Sequence, residues 1–261
     1  MERVTPTRLR WGALAWLLTL QFFVVEAIAQ ARFAGSYSRA DDTISALGAG
    51  DSAAHVLMNA SFVAQAGLIL AGALLLRPAL LRTAGQVAPV LLAVSAAGVL
   101  LVGVFPSDGN ALVHAIGAVA HLVAGNLGLI ALAYAVRPRS EILGTSLAAL
   151  GLVGTAATVF FLTGVTEYLG EGGTERVAAY VIPIGLAVVG GALWRLAGPG
   201  ASERQAERAA ARLEQAERAQ ERDAALEAAA RRQPERTAAD GGTADEDELD
   251  DHWAPVERRR D

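Results

Sequence analysis

Apolar residues in this chain come in six long stretches separated by short charged segments. None of the stretches alternates apolar and polar residues, as a half-buried strand would. Each has about 20 residues or more, which in a helix rising about 1.5 Å per residue crosses a hydrocarbon core of about 30 Å. The pattern predicts six transmembrane helices, at about residues 11–31, 54–76, 86–105, 111–136, 142–164 and 177–197.

After residue 200 the chain becomes polar. Residues 201–232 are rich in Ala, Glu, Arg and Gln, which favour a solvated helix. Leu213 and Leu226 are its large apolar residues, too few for a heptad seam, so we favour a lone charged helix over a dimerising coiled coil. Pro, Gly, Asp and Glu in residues 233–261 predict a disordered acidic tail. We therefore expect an all-α protein whose first domain, residues 1–200, is a six-helix transmembrane bundle.

Composition agrees with a membrane protein, since 53% of the residues are hydrophobic. The net charge of −5 arises in residues 201–261, where 17 acidic residues outnumber 11 Arg. Cysteine is absent, which excludes disulfides, thiolate catalysis and Cys-ligated metals. All 22 basic residues are Arg, which excludes a Lys Schiff base and a P-loop lysine. We expect the lipid bilayer as a partner and no nucleic acid.

The distribution of Arg between the loops orients the predicted helices. Arg is concentrated before the first span, after the second and fourth, and after the sixth, whereas the alternate loops are mixed or acidic. The positive-inside rule then predicts a multi-pass protein of the inner (plasma) membrane with both termini in the cytoplasm. A cleavable signal peptide ending near residues 27–29 is the alternative. We favour a retained first helix because it makes the loop charges alternate correctly.

Ionisable residues gather in the outer half of the bilayer or just above it, and at membrane depth their burial is costly, so a functional role is the first hypothesis. Glu26, Asp108, His114 and His121 are the candidate catalytic groups, as acids or bases. The two histidines lie about 10 Å apart along one helix, too far for one metal ion, so no metal site is predicted and cofactors stay unknown. Structural alternatives are helix capping by the histidines and snorkelling of Glu26 to the outer interface. A sharper alternative for Glu26 is pairing with a histidine or with an Arg of the first outer loop.

The first outer loop, residues 33–52, is long and dense in hydrogen-bonding groups, so it could fold over the outer mouth of the bundle. An Arg39 that faces a pocket would hold an anionic group. The structural alternative is that Ser38 or Thr43 caps a short helix. The candidate substrate-binding residues are Tyr37, Ser38, Arg39, Ser45 and, on the second span, Asn59.

Several of these residues occur in an order that is similar to a known family. The order is Tyr37 to Arg39, Ile44-Ser45, Leu47-Gly48, then Gly103, Phe105, Pro106 and Asp108, then His114. It resembles the family called domain of unknown function 998 over about residues 10–197, including the six-helix count. The resemblance implies a bacterial integral membrane protein with no established activity. It marks Asp108, His114 and residues 38–45 as positions that match its motif, and it adds no reaction.

Three functions fit these observations. The outer polar cluster could bind or process a lipid or amphiphile, as a membrane hydrolase or transferase would. A small carrier would instead line a cavity near the bilayer midplane with polar groups. A noncatalytic scaffold or sensor would act through a protein partner of its cytoplasmic tail. We take the first as the working hypothesis.

Overall fold

A computed structural model describes residues 5–50, 52–80, 83–196 and 201–239 of the chain. The protein is all-α, and six of its helical segments are long and apolar enough to cross a membrane. The chain divides into two compact units, Met1–Ala201 and Ser202–Asp261. The helices are α1 (Pro6–Leu18), α2 (Gln21–Ala31), α3 (His55–Leu76), α4 (Ala84–Val104), α5 (Ala111–Val136), α6 (Glu141–Thr163), α7 (Glu171–Leu196) and α8 (Ala201–Ala239).

The observed spans agree with the predicted ones within two residues, except at two helix starts. α1 begins at Pro6 because the Thr5 side chain accepts a hydrogen bond from the Arg8 N–H (3.3 Å) and proline suits the first helical position. α7 begins at Glu171, earlier than the predicted residue 177. Glu175 and Arg176, assigned to a loop by hydropathy, therefore belong to a membrane-spanning helix.

The first span is two helices rather than one. α1 ends at Leu18 and α2 begins at Gln21. At the break, the Thr19 hydroxyl lies 2.6 Å from the Trp16 carbonyl oxygen and 3.3 Å from that of Pro183 on α7. A buried backbone needs such partners in lipid, so a threonine and a neighbouring helix make the interruption possible.

Large apolar side chains cover the outside of the bundle. Val56, Leu112 and Ile142 are 70%, 71% and 81% exposed, each on a different span. A water-soluble protein rarely exposes so many, whereas lipid tails solvate them. The chain is therefore a multi-pass membrane protein.

Glycines allow α4 and α5 to approach each other closely. A Cβ added at Gly98 would lie 2.5 Å from both the Gly117 carbonyl oxygen and the backbone nitrogen of His121. A Cβ at Gly117 would lie 2.7 Å from the Gly98 carbonyl oxygen. This agrees with the tight packing that small residues in the spans predict.

A buried asparagine joins three helices near the middle of the bundle. Asn126 on α5 donates from its amide nitrogen to the Thr158 hydroxyl (3.2 Å) on α6 and to the Ala178 carbonyl oxygen (3.0 Å) on α7. The Asn126 Oδ1 atom has no hydrogen-bond partner among the described residues. The sequence reading missed this residue.

The second unit contains α8. This helix ends at Ala239, beyond the predicted end at 232. Its described side chains at residues 210–229 are exposed, as expected for a solvated charged helix. Residues 240–261 lie outside the described residues, so the disordered acidic tail stays a prediction.

Replacing Gly98 by alanine should destabilise the bundle, because the added methyl group meets rigid backbone of α5. We expect a loss of about 1–3 kcal/mol, the usual cost of overpacking. Gly67→Ala is the matched control, because a Cβ there meets nothing within 4 Å. Thermal unfolding in detergent, followed by circular dichroism, should show a lower midpoint for Gly98→Ala only. Equal midpoints for the two variants would contradict the close contact.

Candidate functional site

One end of the bundle collects the candidate residues. At this end, called here the polar end, α2, α4 and α6 finish and α3, α5 and α7 begin. The connection between α2 and α3, residues 32–54, is the loop that the sequence analysis singled out; it is called here the long loop. Ser45–Gly48 within it form a short 3-10 helix.

The long loop is docked on the first turns of α7. The Gly173 N–H donates to the Ala40 carbonyl oxygen (2.8 Å), and Glu175 Oε2 accepts from the Ile44 N–H (2.5 Å). A Cβ at Gly172 would overlap the Asp42 carbonyl oxygen, so the absence of a side chain there admits the loop backbone. Backbone contacts therefore fix residues 40–44 against this helix.

A buried ion pair lies beneath that contact. Arg176 Nε on α7 donates to Glu26 Oε1 on α2 at 3.1 Å. The side chains are 6% and 2% exposed. Two charges buried this deeply are stable only if they pair with each other and if their remaining polar atoms also form hydrogen bonds.

The remaining donors of Arg176 bind the long loop. Its Nη1 atom lies 2.8 Å from the carbonyl oxygens of both Arg39 and Asp42, and Nη2 donates to the Tyr37 hydroxyl. That hydroxyl donates in turn to the Thr43 carbonyl oxygen (2.9 Å). Burial raises the pKa of the Tyr37 phenol above its ordinary value, although the charge of Arg176 opposes the change. The phenol stays protonated at neutral pH and remains a donor.

Glu26 is satisfied by two further groups. Tyr180 donates from its hydroxyl to Oε2 (2.6 Å), and Gln30 donates from its amide to Oε1 (2.9 Å). Arg39 donates to the Tyr180 hydroxyl (2.7 Å) and to Gln30 Oε1 (3.2 Å). These contacts tie two helices and the long loop into one network. Its members, called here the Arg176 cluster, are Glu26, Gln30, Tyr37, Arg39, Arg176 and Tyr180.

A cavity of about 50 Å³ lies beside the cluster, under the short 3-10 helix of the loop. Its walls are mostly apolar, with five polar side chains among them. Glu175, His114, His121, Gln65 and Ser45 supply the polar groups. Phe22, Phe62, Val99, Val102, Leu122 and Pro183 are among the apolar ones.

Both histidines of α5 hold backbone carbonyl groups with their Nδ1 atoms. His114 Nδ1 lies 2.9 Å from the Phe105 carbonyl oxygen, at the end of α4. His121 Nδ1 lies 3.1 Å from the Ser95 carbonyl oxygen and 2.9 Å from the Ser95 hydroxyl. These bonds orient the rings from α4, and they leave both Nε2 atoms without a hydrogen-bond partner among the described residues.

Comparison with protein families decides the classification. A family model described as a protein of unknown function (DUF998) matches residues 16–192, which is more than half of the chain. The chain belongs to the DUF998 family. No curated protein and no solved structure matches it.

Two of the predicted catalytic residues of this DUF998 protein line the cavity, and two do not. His114 and His121 face it, whereas Glu26 belongs to the Arg176 cluster. Asp108, in the turn between α4 and α5, accepts a hydrogen bond from the Gly50 N–H (2.8 Å) of the long loop. The four residues therefore do not converge on one point.

Most of the predicted substrate-binding residues make hydrogen bonds that hold the long loop in place. Asn59 donates to the Gly48 carbonyl oxygen (2.8 Å), and Ser38 closes a turn with Asp42 (2.7 Å). The expectation that Ser38 or Thr43 caps a short helix is wrong, because Ile44 precedes the 3-10 helix and no side chain caps it. Of the five residues, Ser45 lines the cavity.

Sequence reasoning did not propose Glu175, Arg176, Tyr180 or Gln65 as site residues. The available signal was the spacing of Arg176 and Tyr180, four residues apart and so on one face of a helix. The hydropathy pattern obscured this spacing, because it assigned Glu175 and Arg176 to a loop. Within the described residues, no group of three His, Cys, Asp or Glu side chains is close enough to hold a metal ion.

Replacing Arg176 by alanine should strongly destabilise the DUF998 bundle, because Glu26 would stay buried without its partner. Breaking a buried ion pair costs about 3–5 kcal/mol. Thermal unfolding in detergent measures the loss, and limited proteolysis should cut the released long loop.

Arg137→Ala provides the control. It breaks the ion pair with Glu141 (3.1 Å), whose side chains are 52% and 76% exposed, and should cost less than about 1 kcal/mol. Similar losses for the two variants would contradict the structural importance of the buried pair. Combining Glu26→Gln with Arg176→Met should recover part of the stability, since neither charge is then left unpaired.

Proposed function

We propose that this DUF998 protein binds the polar end of a lipid or other amphiphile in the cavity under the long loop. The observation that carries the proposal is the lining itself, a few polar groups set among apolar walls. Ligand sites in proteins commonly have this composition, in which apolar walls supply affinity and polar groups fix orientation.

Unpartnered polar atoms support binding. Glu175 uses one carboxylate oxygen for the Ile44 N–H, and its other oxygen has no hydrogen-bond partner among the described residues. The Nε2 atoms of His114 and His121 are in the same condition. These atoms are accessible in the cavity, so they can accept hydrogen bonds from a ligand or from ordered water.

The size of the cavity limits what enters it. About 50 Å³ accommodates only a few water-sized groups, since one water needs roughly 10–15 Å³ on this measure. A headgroup with a few carbon atoms fits, whereas a whole lipid does not. The rest of an amphiphile would lie along the apolar surface of the bundle.

Binding is the step that the enzyme and carrier hypotheses share, and the cavity supports it without assigning a reaction. Asp108 and Glu26 lie outside the cavity lining, so of the four predicted acid and base groups His114 and His121 remain, and Glu175 joins them. We therefore propose a ligand-binding membrane protein and leave catalysis and transport out of the proposal.

The loop charges support a plasma-membrane location with the polar end outside and both termini in the cytoplasm. Single cysteines can test this directly, because the natural chain has none. Ser36→Cys in the long loop should react with a membrane-impermeant maleimide in intact cells. Ala219→Cys on α8 should react only after the cells are opened; both positions are exposed. The reverse pattern would contradict this orientation.

Filling the cavity should block ligand binding. The probe is a photoreactive dodecanol that carries a diazirine and an alkyne, and labelled peptides are located by mass spectrometry. Ala118→Phe places a ring in the cavity and should lower labelling of cavity peptides by about tenfold, the factor for about 1.4 kcal/mol of lost affinity.

Ala115→Phe is the matched control, one helical turn away on the exposed face of α5. It should label like the natural protein. Labelling that is absent from cavity peptides, or that falls equally in both variants, would contradict the proposed site.

A further inference from the structure

Among the hydrogen-bonding side chains that line the cavity, acceptors outnumber donors. From this we propose that the polar end of the ligand is a protonated amine whose charge is paired by Glu175. The inference rests on the proposed function and adds the chemical class of the ligand.

The two histidines present acceptors to the cavity. A carbonyl oxygen can only accept, so the Nδ1 atom of His114 must carry the proton in its bond to Phe105 (2.9 Å). His121 Nδ1 faces the Ser95 carbonyl oxygen at 3.1 Å and the Ser95 hydroxyl at 2.9 Å. That hydroxyl donates its one proton to the His121 carbonyl oxygen (3.1 Å), so in this arrangement the His121 Nδ1 atom also carries the proton. In a neutral imidazole the other nitrogen then has a free lone pair. In this neutral form both Nε2 atoms accept hydrogen bonds and cannot donate them.

Glu175 adds a carboxyl group with an open oxygen, and an ammonium beside it favours the ionised form. Its Oε2 is used by the Ile44 N–H (2.5 Å), which leaves Oε1 to accept from a ligand. None of the described lining residues is an Arg, so no guanidinium in the wall pairs with this carboxylate. Arg176, the next residue along the helix, is bound to Glu26 instead.

Donors are scarcer in the lining. Gln65 accepts from Gln21 with its amide oxygen (3.3 Å), so its amide nitrogen is the free donor. The Ser45 hydroxyl shares a hydrogen bond with Thr43 (3.1 Å). Against these stand one carboxylate and two imidazole acceptors, a set that matches a cation with several N–H groups and repels an anion.

The arrangement favours an organic amine over a metal ion. Among the described residues, no three His, Asp or Glu side chains come together as metal ligands do. His114 and His121 are seven residues apart on one helix, about 10 Å along its axis, so one ammonium cannot reach both. An ammonium beside Glu175 can donate to that carboxylate and to one of the two imidazoles. The second imidazole then accepts from a donor elsewhere in the ligand.

Three photoreactive probes test the inference on the natural protein in detergent. They are dodecylamine, dodecanol and dodecanoic acid, each carrying the same diazirine and alkyne. We expect the amine to label the cavity peptides about tenfold more than the alcohol, and the acid to label them least, as a charge-assisted hydrogen bond would require. Amine labelling that does not exceed alcohol labelling would overturn the inference.

Glu175→Gln removes the charge and keeps an oxygen for the Ile44 N–H. It should reduce amine labelling by about tenfold and leave alcohol labelling within about twofold. Glu171→Gln is the matched control, since it removes the same charge at an exposed position one turn earlier on α7. Equal effects of the two variants would overturn the role of Glu175. The comparison of probes on the natural protein decides the matter even if Glu175→Gln folds poorly.

The outcomes separate this inference from the function on which it rests. Equal labelling of the cavity by amine and alcohol keeps the binding site and rejects the amine. No labelling of cavity peptides by any of the three probes rejects the binding site itself.

Discussion

The ion pair between Glu26 and Arg176 is the interaction on which the polar end depends. A single guanidinium holds a helix carboxylate on one side and two carbonyl oxygens of the long loop on the other. In a low-dielectric interior neither charge is tolerable alone, so the pair must form as a complete hydrogen-bonded set. That requirement holds α2, α7 and the loop in one arrangement. The same contacts position the loop residues that cover the cavity.

The cavity is the other side of the same arrangement. Ile44 is held by Glu175, the neighbour of Arg176, and Ser45 follows it in the roof. Successive residues of α7 therefore have different roles, since Arg176 forms the ion pair and Glu175 lines the cavity. The family match at residues 16–192 contains both, together with both histidines. The Arg176 cluster and the cavity thus lie within the part of the chain that matches the DUF998 family.

Close packing of α4 and α5 prepares the opposite wall. Gly98 and Gly117 let the two backbones meet, and this brings His121 to Ser95. The bond between Nδ1 and the Ser95 carbonyl oxygen then favours the tautomer in which Nδ1 carries the proton. Small residues that form no site themselves therefore determine what the cavity offers to a ligand.

The sequence by itself determined the six spans and the gathering of polar residues at one end. These follow from local properties, since the length of an apolar stretch and the order of loops along the chain need no knowledge of neighbours. The resemblance to the family was also readable from the order of residues such as Asp108 and His114. The match to residues 16–192 confirmed it.

Only the tertiary structure decided which polar residues meet. Charged residues lower the local hydropathy, and low hydropathy predicts the end of a span. Glu175 and Arg176 were therefore assigned to a loop. They lie in a helix because their partners come from α2 and the long loop, far away in sequence. The sequence suggested Asp108 as a catalytic group. In the folded bundle its carboxylate accepts a hydrogen bond from a loop N–H, a partner that is also distant in sequence. Pairing between distant segments is a property of the folded bundle, and a pattern along one chain does not contain it.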